Sequence, residues 1–245
     1  MKRALVTGGA GFIGSHLAQR LVGDGVETVV LDDFSTGRRQ NLAGLGDAID
    51  LREADLRDAA AVAAAVRGCD AVFHLGALPS VARSIYDPVA TTEVNVLGTL
   101  HVLRAAAAEP VCRRLVFASS SSVYGDTEVL PKVETMVPAP RSPYAASKAA
   151  AEASCLAFWH SFGLEAVCLR YFNVFGPRQP AQSQYAAVVP NFIDRARRGK
   201  PPYIEGDGTQ TRDFTYVSDV VEATLLAAAA PRAAGEVLNV AAGRP

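Results

Sequence analysis

Gly8, Gly11 and Gly14 form a G-x-x-G-x-x-G turn, and this turn narrows the possible folds more than any other feature of the chain. It follows directly on a short apolar run, residues 3–7, of the kind found in strands buried on both faces. It leads directly into a segment where Phe12, Ile13, Leu17 and Leu21 recur at helical spacing. Missing Cβ atoms let the turn's backbone approach an anion closely. The helix that follows offers unpaired N–H groups and the positive end of its dipole to the same anion, as in sites that bind a dinucleotide pyrophosphate.

The alternation continues beyond the turn. Gly23 and Gly25 end the first helix. Further strands are expected at residues 26–31, 48–53, 70–75, 113–118 and 165–170, and helices at 58–66, 87–107 and 144–162. Asp58 suits a helix cap, because its carboxylate accepts free N–H groups of a first turn. Strands alternating with helices imply an α/β fold, a Rossmann-type doubly wound parallel sheet. After Tyr171 the texture changes: residues 172–190 are rich in proline, glycine and polar residues. A helix at 187–198, a short strand at 203–205, a helix at 218–229 and a strand at 237–240 are expected there. The chain is thus expected to divide into a dinucleotide-binding domain, residues 1–171, and a partial substrate-binding lobe, residues 172–245, interleaved with the last strand of the sheet.

Composition removes several function classes. The 245 residues are 49% hydrophobic and 20% charged, which suits one large domain or one with a small appendage. The formal net charge is −1 with no basic block, so nucleic acid is not an expected partner. Arg195, Arg197 and Arg198 read as the end of a helix, where cations suit the dipole. Cys69, Cys112, Cys155 and Cys168 are scattered, as reduced thiols of a cytoplasmic protein are. His16, His74, His101 and His160 lack metal-ligand spacing, so no metal is expected. The apolar run at residues 4–6 is far too short for a signal peptide or a membrane span.

Asp32 ends the second strand, where an acid accepts hydrogen bonds from both ribose hydroxyls of NAD and repels the 2′-phosphate of NADP. Arg38 and Arg39 nearby soften that preference, which still favours NAD. Asp33 either shares this role or shapes the turn. Asp55, after the third strand, either meets an adenine at the sheet edge or caps a helix and stays solvated.

Tyr144 and Lys148 stand four apart, on one face of the expected helix. A free tyrosine, with pKa about 10, is a poor base at pH 7. A nearby ammonium and a positive nicotinamide would lower that pKa and make the phenol a usable general acid and base. The fifth strand runs into Ser119, Ser120, Ser121, Ser122, Val123, Tyr124 and Gly125. Hydroxyls at a strand's carboxyl end suit a sugar hydroxyl or ketone, because doubly wound folds bind ligands there.

Together these segments resemble the extended short-chain dehydrogenase/reductase family and, within it, the UDP-sugar 4-epimerases. The matching stretches are residues 7–17, 31–38, 74–81, 95–99, 119–125, 142–148, 170–176 and 206–214. The resemblance implies a tightly bound NAD held by Gly8, Gly11, Phe12, Ile13, Gly14, Asp32, Asp33, Ser35, Gly37, Asp55, Leu56, Leu75, Gly76, Ala77, Asn95, Tyr144, Lys148 and Tyr171. It implies a UDP-sugar bound by Ser80, Ser120, Ser121, Ser122, Tyr144, Asn173, Val188 and Arg212, with Asn173 and Arg212 on its diphosphate. Ser120, Tyr144 and Lys148 would be catalytic. It also implies a homodimer formed through the helices near residues 90–107 and 145–160; Val96, Leu100 and Leu103 share a helical face there, as a stripe facing the core would too. Related 4,6-dehydratases carry an Asp-Glu pair after the catalytic hydroxyl, and decarboxylating relatives carry a Glu just before the Val-Tyr-Gly. Here those positions are Ser121 and Ser122, which favours epimerisation over dehydration, decarboxylation or another nucleotide-sugar modification, uronate epimerisation among them. The chain stops at Pro245, where the family continues for several tens of residues. That motivates a rival reading, a non-catalytic NAD-binding sensor or scaffold.

Overall fold

The computed structural model describes residues 1–180, 188–204 and 206–243. The strands are β1 (Arg3–Thr7), β2 (Glu27–Asp32), β3 (Ile49–Glu53), β4 (Ala71–His74), β5 (Arg114–Ser120), β6 (Glu165–Tyr171), β7 (Val174–Phe175), β8 (Thr215–Tyr216) and β9 (Val237–Val240). The helices are α1 (Phe12–Gly23), α2 (Ala59–Val66), α3 (Val81–Tyr86), α4 (Pro88–Thr92), α5 (Gly98–Ala108), α6 (Pro143–Phe162), α7 (Val188–Arg197) and α8 (Val217–Ala229). Seven strands form one parallel sheet in the order β3-β2-β1-β4-β5-β6-β9, and β7 pairs with β8 in a separate two-stranded ribbon. The chain leaves β1 toward β2 on one side and later returns to β4 on the other. The carboxyl ends of β1 and β4 therefore flank the crevice where this class of sheet binds ligands.

The strand sequences explain why both faces are covered. Successive side chains point to opposite faces, so a nearly all-apolar strand must be buried twice. Leu5, Val29, Leu31, Val72, Leu115 and Phe117 pack with Val62 of α2, Leu103 of α5, and Ala151 and Cys155 of α6. Their neighbours Ala4, Val6, Phe73, Val116, Val167 and Leu169 pack on the other face with Leu17 and Leu21 of α1 and Val220 and Val221 of α8. Helix starts follow the chain's short polar residues. Asp58 accepts from the Ala60 and Ala61 amides at 3.0 Å each, Asp87 accepts from Ala90 at 3.0 Å, and Ser142 accepts from Ala145 at 3.1 Å.

The fold departs from the sequence reading in three places. The single helix expected over 87–107 is split: α4 ends at Thr92, a wide π turn spans Glu93–Leu97, and α5 begins at Gly98. The turn carries Asn95 inward to bind other segments, and such rare single turns inside helices occur frequently at functional sites. Tyr203 and Ile204, expected in a strand, are irregular, and Glu205 lies outside the described residues, as does Ala187 at the start of the expected helix over 187–198. The two-residue strands β7 and β8 and the short helix α3 were not expected, because segments of that length carry no readable period. No helix among the described residues is long and apolar enough to cross a membrane.

Candidate active site

The glycine turn is built for close approach. Gly8 has φ of +67°, and a Cβ there would lie 2.7 Å from the Gly76 nitrogen beyond β4. A Cβ on Gly14 would collide with the Gly8 carbonyl oxygen, so α1 sits directly against the turn. Gly11 caps α1 in extended conformation with no side-chain hydrogen bond. The first amides of α1, those of Phe12 and Ile13 among them, are left for a ligand. These features fit a dinucleotide pyrophosphate.

Asp32 is 6% exposed. It accepts from the Ala10 amide at 2.9 Å and the Phe34 amide at 2.8 Å, while burial pushes its carboxyl up from the ordinary range. Gly37 lies against the same carboxylate. Asp33 shapes the turn, accepting from the amide and hydroxyl of Ser35 at 2.9 and 2.7 Å. Arg39 is drawn away to Glu53 and over the Phe34 ring, 4.1 Å from its centroid. Asp55 is held by Arg57 at 2.7 Å, and this pairing keeps its carboxyl low. Leu56 is buried under Gly76 and Gly98.

The end of β4 is fixed by a relay the sequence reading missed. The Thr7 hydroxyl meets His74 Nδ1 at 2.7 Å and accepts from the Gly76 amide at 3.1 Å, and His74 Nε2 meets the Thr99 hydroxyl at 2.9 Å. His74 is fully buried, and burial holds its pKa near 3, so the ring is neutral. This relay positions Leu75, Gly76 and Ala77. Asn95 completes the frame. It accepts from the Leu78 amide at 2.8 Å and donates to the Leu78 carbonyl at 3.3 Å and the Ser147 hydroxyl at 3.0 Å. Both ends of its amide are engaged with the chain itself, so it holds the frame around the end of β4.

Ser120 ends β5, and its hydroxyl accepts from the Ser122 amide at 3.2 Å and from the Ser122 hydroxyl at 2.9 Å. Tyr144, half-buried at the start of α6, lies beside Ser120. The expected acidification by Lys148 is absent from this arrangement. Burial pushes the Tyr144 phenol up, and Ser120 opposes that. Lys148 is 4% exposed, donates to the Ala118 carbonyl at 2.7 Å and lies 4.8 Å from the Phe117 ring centroid. Burial lowers the Lys148 ammonium to about 8, partly offset by Cys155 and Glu152.

Asn173, Val188 and Arg212 converge with Val174, Phe175, Val189 and Phe214 on a cleft of about 200 Å³. Asn173, with φ of +33°, donates to the Asp213 carbonyl at 3.0 Å, and Asp213 in turn accepts from the Ala242 and Gly243 amides at 2.9 and 2.8 Å. Two expected contact residues have other work. Ser80 caps α3 by accepting from the Arg83 amide at 3.1 Å. The Tyr171 side chain lies in the core beside α8, its hydroxyl 2.7 Å from that of Thr224, leaving only its backbone for a ligand. Among the described residues no group of three His, Cys, Asp or Glu side chains is placed to hold a metal ion.

A parallel sheet that opens on an uncapped glycine turn, with serine, tyrosine and lysine gathered at its strand ends, defines a dinucleotide-binding enzyme of the extended short-chain dehydrogenase/reductase class. The pattern of the NAD dependent epimerase/dehydratase family matches residues 4–241, and the chain belongs to that family. A UDP-N-acetylglucosamine 4-epimerase from Methanobrevibacter ruminantium M1, solved with UDP-N-acetylmuramic acid, has 40% sequence identity and a TM-score of 0.95 over 99% of this chain and 77% of that one. A Thermus thermophilus UDP-glucose 4-epimerase, solved with NAD, has 42% identity and a TM-score of 0.89 over 99% of this chain and 78% of that one. A UDP-glucuronic acid decarboxylase from Xenopus tropicalis is 40% identical over 225 residues, 90% of this chain and 52% of its own. NAD is thus the cofactor of the family to which the chain belongs, while the reactions named among its relatives differ.

Proposed function

We propose that the chain catalyses 4-epimerisation of a UDP-hexose, UDP-glucose/UDP-galactose or the N-acetyl forms, through a transient 4-keto sugar. The observation that carries this reading is the meeting of Ser120 and Tyr144 at the carboxyl end of β5. The cleft lined by Asn173, Val188 and Arg212 adds a place for the rest of the substrate. NAD, when bound, supplies a hydride acceptor that is regenerated within each turnover. Gly8, Gly11 and Gly14 with the opening of α1 would hold its pyrophosphate, Asp32 its adenosine ribose, and Lys148 its nicotinamide ribose. Ser120 would hold the sugar 4-hydroxyl while Tyr144 removes its proton and later returns one to the ketone oxygen. Arg212 suits a diphosphate because a guanidinium fork can clamp two oxygens at once.

Dehydration and decarboxylation fit less well. Both call for a proton donor or acceptor beside the reacting carbon, and Ser121 and Ser122 are poor ones near neutral pH. Residues 172–245 would act as the substrate-facing lobe. The four free cysteines are all buried, as suits a cytoplasmic protein. Of the Val96, Leu100 and Leu103 stripe, Leu103 is buried in the core while Val96 and Leu100 are half-buried. The exposed Ile85, Tyr86 and Val89 of α3 and α4, with Leu97, offer a homodimer an apolar face.

The purified chain should carry NAD and should convert UDP-glucose or UDP-N-acetylglucosamine to the 4-epimer without added cofactor. Bound NAD with no product from either sugar would favour the sensor reading.

A further inference from the structure

A second set of buried polar groups lies directly behind the catalytic ones. Glu152 stands four residues after Lys148 on α6 and is 3% exposed. It accepts from the Ser119 hydroxyl at 2.5 Å, and Ser119 adjoins Ser120 on β5. It also accepts from Nε and one arm, Nη2, of Arg170 from β6, at 2.9 and 2.8 Å. The Arg170 guanidinium stacks on the Tyr124 ring, 4.6 Å from its centroid, and the Tyr124 hydroxyl donates to Asn239 of β9 at 2.6 Å. The remaining arm of Arg170 is buried with no protein partner, so the guanidinium depends on Glu152 for its counter-charge. One carboxylate thus ties together β5, β6 and the helix that bears Tyr144 and Lys148.

We propose that Glu152 is a positioning residue for the catalytic pair: through Ser119 and Arg170 it fixes the reach between Ser120 and Tyr144, and it sets a carboxylate one helical turn after Lys148. This rests on the epimerase reading for its consequence in turnover, but its electrostatic part stands on the chain alone. The titratable and charged groups around Lys148 are Tyr144, Glu152 and Cys155 on α6, His74 on β4, and Cys168 and Arg170 on β6. His74 is neutral, and the Cys168 thiol is pushed well up by its hydrogen bond with Cys155 and by burial. Tyr144 is pushed up as well; of the groups that favour the charged ammonium Cys155 comes first and Glu152 second, Glu152 being the carboxylate among them and Arg170 the competing cation. Removing the carboxylate leaves Lys148 buried beside an unpaired guanidinium, which favours the neutral amine.

The chain has four lysines, at 2, 132, 148 and 200, so the full protein labelled with carbon-13 at lysine Cε gives a countable NMR spectrum. The Lys148 resonance, assigned with Lys148→Met, is expected to titrate near 8 in the unaltered chain, where burial holds it. In Glu152→Gln the midpoint should fall by about one pH unit or more, and Glu152→Asp should recover part of the loss. Turnover of Glu152→Gln should drop by about tenfold or more, with its alkaline limb moved by the same amount and KM for the UDP-sugar nearly unchanged. An unmoved Lys148 midpoint in folded Glu152→Gln overturns the proposal. Should that variant fail to fold, Arg170→Met removes the competing cation and should raise the Lys148 midpoint, and an unmoved midpoint there overturns the proposal. A chain that turns over no UDP-sugar would sink the epimerase reading while leaving the lysine titration to decide the role of Glu152.

Discussion

At the scale of single residues, the site separates groups that face a ligand from groups that hold them in place. Tyr144 touches Ser120 at the strand end, so Tyr144→Phe should leave bound NAD intact and lower kcat by about a hundredfold or more. Steady-state kinetics on the NAD-loaded variant checks this, and near-normal turnover would remove Tyr144 from the chemistry. His74 makes a different prediction. Its folded pKa near 3 lies below its ordinary 6.5, so the folded state excludes a proton that the unfolded chain takes up. That stability is complete above pH 6.5 and is lost as pH falls toward 3, by about 2 kcal/mol at pH 5. Urea unfolding at pH 7 and pH 5 should show this loss in the unaltered chain and a smaller one in His74→Gln. Equal losses in both would contradict the buried, neutral assignment. The sequence announced Gly8, Asp32, Ser120, Tyr144 and Lys148 because each sits in a spaced motif. It could not announce Glu152 or Arg170, or that Ser80 and Tyr171 would be used for a cap and for core packing, because those partners are distant in the chain.

At the scale of elements, the first βα turn and the π turn do separate work. The β1–α1 turn admits no extra atom at Gly14, so Gly14→Ala should both destabilise the fold and abolish bound NAD. Thermal unfolding and the absorbance of released nucleotide would read the two effects, and full NAD occupancy with normal stability would contradict the packing. The π turn brings Asn95 against Leu78 and Ser147, joining the segment after β4 to the catalytic helix. Asn95→Ala strips the part-buried Leu78 amide of its partner and should cost about 1–3 kcal/mol, with less NAD retained on purification. A loss within experimental error in urea titration would count against that joint. The long helices were legible because each repeats its period several times, and the main-sheet strands because short apolar runs between turns mark strands buried on both faces. β7, β8 and the π turn were not, since a two-residue pair or one widened turn has no period to read.

At the scale of the whole molecule, the parallel order of the sheet brings distant segments to one edge. The amides of α1, the hydroxyl of Ser120 and the phenol of Tyr144 all belong to strand ends or the helix starts beside them. Alternating strands and helices in the sequence were enough to foresee this arrangement; the nature of the sugar depends on the shape of the cleft at Asn173 and Arg212, which no motif encodes. The central claim is reversible oxidation at one sugar carbon inside a site that keeps its own NAD. UDP-glucose deuterated at C4 tests it most directly, read by mass and NMR spectra of the product formed in the absence of added cofactor. UDP-galactose with the deuterium still at C4 is the expected product. Deuterium lost to solvent or found at C6, or no galacto product from this or any other UDP-hexose, would contradict it.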